Sequence, residues 1–285
     1  MKFFLNFLFF IIISTLSIAS KIDKSQYVDR VVTIGGSVTE IVFKLGLEDL
    51  VVAVDQSSTL PEKVKELPQV GYIRAISSEG VLSTAPTKIL TTTDIGPPNA
   101  VRQIKDSGVD IQIFNSPKNL EDIVALTIKI SNIFNADKEA ANIIKNIYKA
   151  RDSISKLISK YKKKPKIAFF MNPSSGSYNA AGSGTNANYL IELIGAENIF
   201  SKDFKRYQKV DKEQILKYNP DAILVAGHYP GQKPSSHFKE TPIFSSLKSV
   251  KKQNIISISM TDLTMGPAFV SNALSIMKKL NIETK

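Results

Sequence analysis

The chain of 285 residues contains no cysteine. That absence removes disulfide frameworks, thiolate metal sites and cysteine nucleophiles in one step. It also removes the lipid anchor of an exported lipoprotein, which is carried on a cysteine at the cleavage site. Histidine is scarce: His228 and His237 are the only two. Two imidazoles nine residues apart, in a stretch with Pro and Gly, do not make a zinc or manganese centre. Either could be a single ligand, and a surface position is the plainer reading for each. Beyond the first twenty residues, no apolar run is long enough to cross a bilayer.

Nucleotide and hydrolase signatures are missing as well. "IGGSVTE" puts Gly35-Gly36 between a β-branched run and a helical pattern, but it is neither G-x-G-x-x-G nor a P-loop. A tight strand-to-helix turn is expected, with Glu40 facing solvent or a ligand cleft. In "AGSGT", Ala181 and Thr185 stand where a G-x-S-x-G elbow around Ser183 requires glycine. A turn ending in a helix N-cap at Thr185 or Asn186 accounts for it. A secreted hydrolase using Ser183, or an enzyme using the Gly35-Gly36 turn, lacks acid–base partners. No enzyme is expected.

What is present begins with a leader. Lys2 precedes an apolar run from Phe3 to Ile18, and Ser17-Ile18-Ala19 supplies small residues for cleavage. Residues 1–19 read as a secretory signal peptide, with an uncleaved membrane anchor as the alternative that the slightly short run disfavours, so a soluble periplasmic protein is expected. Losing Lys2 lowers the formal charge from +11 by one, still clearly basic. A basic exported protein favours anionic small molecules over nucleic acid as partners, although lysines scattered along helix faces are also an ordinary solvated surface.

Val31–Ile34, Leu50–Val54, Lys88–Thr92 and Asp110–Phe114 read as strands, with a helix over Pro98–Asp106. The chain is wholly helical after Asn119. Asp137–Lys163 then runs without Gly or Pro, with apolar residues at Ile143, Ile147, Ile154, Leu157 and Tyr161, up to a stop at Pro165. That helix would be about 40 Å long and act as a rigid connector. Alternation resumes with strands at Lys166–Met171, Ala222–Val225 and Asn254–Ser257, helices over Thr185–Leu193 and from Phe269. The expected architecture is α/β: two Rossmann-like lobes, residues 20–136 and 165–285, with mainly parallel sheets. A single long helix at 137–164 joins them. The halves echo each other: "EGVLSTAPTKIL" from Glu79 and "EQILKYNPDAIL" from Glu213 share Glu, an apolar pair, Pro and Ile-Leu at equal offsets. Both describe a short amphipathic helix, a Pro that ends it, and a strand.

One further stretch invites chemistry. In "GYIRAISSEGVL", Tyr72 follows Gly71 and Arg74 lies two residues on. Tyr72 is either a loop tyrosine packed on its lobe or a hard phenolate donor for ferric iron. As a ligand the phenol must lose its proton, and a nearby guanidinium would help.

This segment resembles the haem-binding substrate-binding proteins of bacterial haem ABC importers, in which a G-Y-x-R-x-L/I-S-x-E-G-[VI]-L motif carries the axial tyrosine. "RVVTIGGSVTEIVFKLG", "DIGPPNAV", "AAGSGTNAN" and "LIELIGAENIF" are similar to other segments of that family. The lobe-level pattern is shared with cobalamin and siderophore binders. The resemblance implies haem in the cleft between the lobes, with Tyr72 as axial ligand and Arg74 beside it. It implies permease-docking acids at Glu79 and Glu213, one on each lobe. It further implies a monomer that receives haem downstream of an outer-membrane receptor system and delivers it to a dimeric inner-membrane permease. "MNPSSGSYNAAG" lacks the second-lobe His that some relatives use, so tyrosinate-only iron is the expectation, with His228 and Tyr229 as candidates to close over the other face. A ferric siderophore or corrinoid is the alternative ligand class.

Overall fold

A computed structural model describes residues 29–174, 177–227 and 234–285. The expected leader, residues 1–19, lies outside the described residues, as do His228 and Tyr229.

The first lobe runs β1 (Val31–Ile34), α1 (Gly36–Lys44), β2 (Val51–Val54), β3 (Gly71–Tyr72), β4 (Ala75–Ile76), α2 (Ser78–Leu82), β5 (Lys88–Thr92), α3 (Pro98–Asp106), β6 (Asp110–Phe114) and α4 (Leu120–Phe134). Its sheet has the order β2-β1-β5-β6, parallel throughout. The short β-branched runs suit strands covered on both faces, and helical crossovers are what parallel neighbours require.

α5 (Asp137–Ile158) follows, then β7 (Lys166–Ser174), β8 (Ser177–Ala181), α6 (Asn186–Leu193), β9 (Glu197–Asn198), β10 (Tyr207–Val210), α7 (Lys212–Tyr218), β11 (Ala222–Gly227), α8 (Pro234–Glu240), α9 (Lys248–Lys251), β12 (Ile255–Ser259) and α10 (Ala268–Lys279). The second sheet is ordered β10-β8-β7-β11-β12, with β9 also on β7. β7, β11 and β12 are parallel, while β8 and β10 form an antiparallel arm.

α5 buries Ala140, Ile143, Ile147, Ala150 and Ile154 against α4 on one side and α10 on the other. One continuous apolar cluster therefore extends from Val31 and Ile41 through Ile147 to Phe169 and Ile276. The lobes share a core rather than a flexible tether. The helix is shorter than its sequence pattern suggests, ending at Ile158 and spanning about 33 Å. Tertiary pairing overrides periodicity here. Tyr161 bridges to Thr284, and Lys162 N–H donates to the Glu283 carbonyl at 3.2 Å, so the C-terminal tail takes the backbone groups that a longer helix would have used.

Two polar contacts also link the lobes. Leu120 N–H donates to the Tyr189 hydroxyl at 2.8 Å, and Ala268 N–H donates to Glu40 Oε1 at 2.6 Å. Glu40 thus faces neither solvent nor the ligand cleft, as its sequence position suggested; it is 2% exposed at the lobe contact.

Candidate functional site

The first wall of the inter-lobe cleft is built around Asp55, which is buried at the end of β2. Its carboxylate accepts Gly35 N–H at 2.8 Å, Ser57 N–H at 2.9 Å and the hydroxyls of Ser57 and Ser58 at 2.6 and 2.7 Å. This clamps the β1–α1 turn to the loop after β2. Gly36 is required by contact: a Cβ there would stand 2.8 Å from the Ser57 carbonyl oxygen. The glycine pair serves close packing.

The loop then returns as the hairpin β3–β4, pairing Gly71 with Ile76 and Tyr72 with Ala75. Gly71 has φ +104, a conformation that favours glycine. Ile73 and Arg74 form the two-residue turn. Gly96 N–H bonds the Ile73 carbonyl at 2.9 Å, and Ile76 N–H bonds the Gly96 carbonyl at 2.8 Å. Ile73, 7% exposed, anchors the turn in the apolar cluster under the sheet. Tyr72 remains 44% exposed and lines the cleft together with Arg74. Among the described residues Arg74 has Asp94 as its ion-pair partner, at 4.0 Å, and makes no hydrogen bond to the Tyr72 phenol.

The opposite wall comes from the second lobe. Thr185 caps α6, its hydroxyl accepting Asn188 N–H at 3.0 Å. The cap is Thr185 and not Asn186, which is helical and donates its side-chain amide to the Leu263 carbonyl at 3.0 Å. Arg206, Tyr207, Met260, Leu263 and Met265 complete this side. About 1670 Å³ of empty space lies between these walls, a figure that includes open solvent. Two phenols line it, and they differ in burial. Burial pushes Tyr207 up to about 12, against the opposing pull of a hydrogen bond with Thr185. That phenol holds its proton; Tyr72 stands exposed on the opposite wall.

The remaining expected residues fall elsewhere. Glu79 and Glu213 occupy the same position of two equivalent short helices, α2 and α7, one per lobe, and both are exposed. Ser77 and Asp211 cap those helices, and Ala85 and Asn219, each before the repeated Pro, share left-handed φ values of +49 and +45. The sequence echo is therefore a structural one. The Ser183 hydroxyl donates to the Phe204 carbonyl at 3.3 Å. His237 is half-buried in the second lobe, its Nε2 3.1 Å from the Tyr178 hydroxyl, and desolvation lowers its pKa. Lys118, Arg206 and Tyr207 were not singled out by sequence reasoning, since nothing in "SPKN" or "FKRYQKV" distinguishes a cleft wall from a solvated loop.

Residues 31–260 match the sequence profile of the periplasmic binding protein family. The chain belongs to that family. Among its relatives is an uncharacterised ABC transporter substrate-binding lipoprotein, YvrC, of Bacillus subtilis (strain 168). It is 26% identical over 261 residues, covering 90% of this chain and 81% of that one. The vitamin B12-binding protein of Yersinia pestis (strain Pestoides F) is 26% identical over 204 residues, 71% of each chain. Among solved structures, the periplasmic haem-binding protein BhuT in complex with two haems superposes with a TM-score of 0.79. Its identity is 25%, and the match covers 88% of this chain and 97% of that one. As a periplasmic binding protein, the chain is a solute-binding, non-enzymatic component of an ABC importer.

Proposed function

We propose that this periplasmic binding protein captures haem in the inter-lobe cleft through a Tyr72 tyrosinate and delivers it to a dimeric inner-membrane permease. The carrying observation is the placement of Tyr72: exposed on a hairpin whose neighbours are pinned, lining the inter-lobe cleft, with a guanidinium two residues away in sequence. A hard anionic oxygen suits ferric iron. Met260 offers half-buried apolar surface on the cleft wall, backed by the buried Ile73, Leu263 and Met265. Burying the porphyrin faces at about 25 cal/mol per Å² supplies on the order of 10 kcal/mol before association costs. Tight capture without chemistry follows.

Iron held by the Tyr72 oxygen alone fits the absence of His from residues 171–182, the stretch in which the family resemblance puts a second ligand in some members. Glu79 and Glu213 are the acids we assign to permease docking, because the pseudo-repeat presents them equivalently on the two lobes. The protein acts as a monomer, downstream of an outer-membrane receptor system.

The vitamin B12-binding relatives support a second reading, a corrinoid ligand. Charge favours haem. Arg74, Lys118 and Arg206 line the described cleft against Asp94; haem carries two carboxylates at its edge, whereas the periphery of cobalamin is largely neutral amide. Equilibrium titration of the purified mature protein with hemin, cyanocobalamin and a ferric siderophore tests the assignment. Hemin should bind most tightly. Preferential binding of either other ligand replaces the haem reading.

A further inference from the structure

Arg206 sits where glycine would be easier to accommodate. Its φ of +62 lies in the left-handed region, which costs a non-glycine residue on the order of 1 kcal/mol. The backbone is fixed from both directions: Arg206 N–H donates to the Ser183 carbonyl at 2.9 Å, and Gly182 N–H donates to the Arg206 carbonyl at 2.7 Å. The segments touch so closely that a Cβ on Gly182 would lie 2.2 Å from the Phe204 carbonyl oxygen. A rigid mount therefore carries a side chain that the backbone does not favour.

That side chain is exposed and lines the same cleft as Tyr72. Among the described residues it has neither an ion-pair partner nor a side-chain hydrogen bond, while Arg74 across the cleft is already near Asp94. The left-handed backbone is held by the hydrogen bonds on either side of it, and it leaves an unpartnered guanidinium lining the cleft. The planar fork matches a carboxylate with two parallel hydrogen bonds.

We propose that Arg206 is the second lobe's carboxylate anchor, pairing with an acid group on the edge of the bound macrocycle and making the cleft select a dicarboxylate over its neutral counterpart. This rests on the haem reading and goes beyond it by naming the residue that recognises the ligand's charge. Arg206→Gly keeps the left-handed backbone at no steric cost, so the variant folds at least as stably as the parent.

The test is a spectroscopic titration of wild type, Arg206→Gly and Arg206→Lys with hemin and with hemin dimethyl ester, whose carboxylates are masked. Arg206→Gly should weaken hemin binding on the order of ten- to a hundredfold, leave the ester's affinity nearly unchanged, and preserve the ferric band shape. Arg206→Lys should fall between, keeping charge without the fork. Hemin affinity unchanged in Arg206→Gly, or hemin and ester weakened alike, overturns the anchor while haem binding itself stands. No hemin band in the wild type overturns both.

Discussion

The Glu40 carboxylate on α1 and the Ala268 amide at the start of α10 meet at 2.6 Å across the two lobes. Among the described residues Glu40 Oε2 has no hydrogen-bond partner, and it lies where a Cβ on Gly266 would come within 2.2 Å. Burial pushes this carboxyl up from 4.5 to about 7, outweighing Lys44 and the Ala268 N–H, which pull it down. Between those two values the folded protein holds a proton that the unfolded chain has released. The contribution to stability is therefore complete below about pH 4.5 and is lost as pH rises through about 7. A gap of about 2.5 pH units corresponds to about 3 kcal/mol.

Glu40→Gln keeps an oxygen for Ala268 and cannot ionise. It should raise the melting temperature relative to wild type at about pH 8, and this advantage should disappear at about pH 4. Parallel pH profiles for the two proteins would contradict the assignment.

Gly36→Ala tests whether the glycine pair serves packing. The added Cβ would meet the Ser57 carbonyl at 2.8 Å and Thr264 Cγ2, from the second lobe, at 3.1 Å. Thermal unfolding should show a loss of about 1–3 kcal/mol, the cost of overpacking a fixed backbone contact. Unchanged stability would mean that the turn has room to relax.

Glu79→Arg and Glu213→Arg lie on exposed first turns, away from the residues lining the cleft. Each should lower stimulation of the permease ATPase by about tenfold, since reversing a docking charge replaces attraction with repulsion. Hemin titration of both variants should match wild type. Normal ATPase stimulation in the double variant would remove these acids from the docking surface.

Much of the first lobe was legible because its signals are local. Val31–Ile34, Lys88–Thr92, Asp110–Phe114 and Pro98–Asp106 fold over the residues that their β-branched runs and helical spacing indicate. The two-lobed α/β class followed from that alternation. β3, β4, β8 and β10 did not show themselves: two are two-residue strands, and Tyr207–Val210 is a half-exposed edge whose pairing with Ala181–Tyr178 is set at long range. The end of α5 was hidden for the same reason, since the C-terminal tail decides it. The placement of Tyr72 and Arg74 on the cleft was readable because a compact motif carries them. Arg206 joins the cleft through a backbone angle and a neighbouring turn, neither of which side-chain pattern records.

The most direct measurement is the ferric absorption and EPR spectrum of hemin added to the mature protein beside Tyr72→Phe. Wild type should give a high-spin, five-coordinate tyrosinate spectrum, and the variant should lose it while keeping its fold by circular dichroism. The same spectrum and affinity in Tyr72→Phe would show that another group holds the iron.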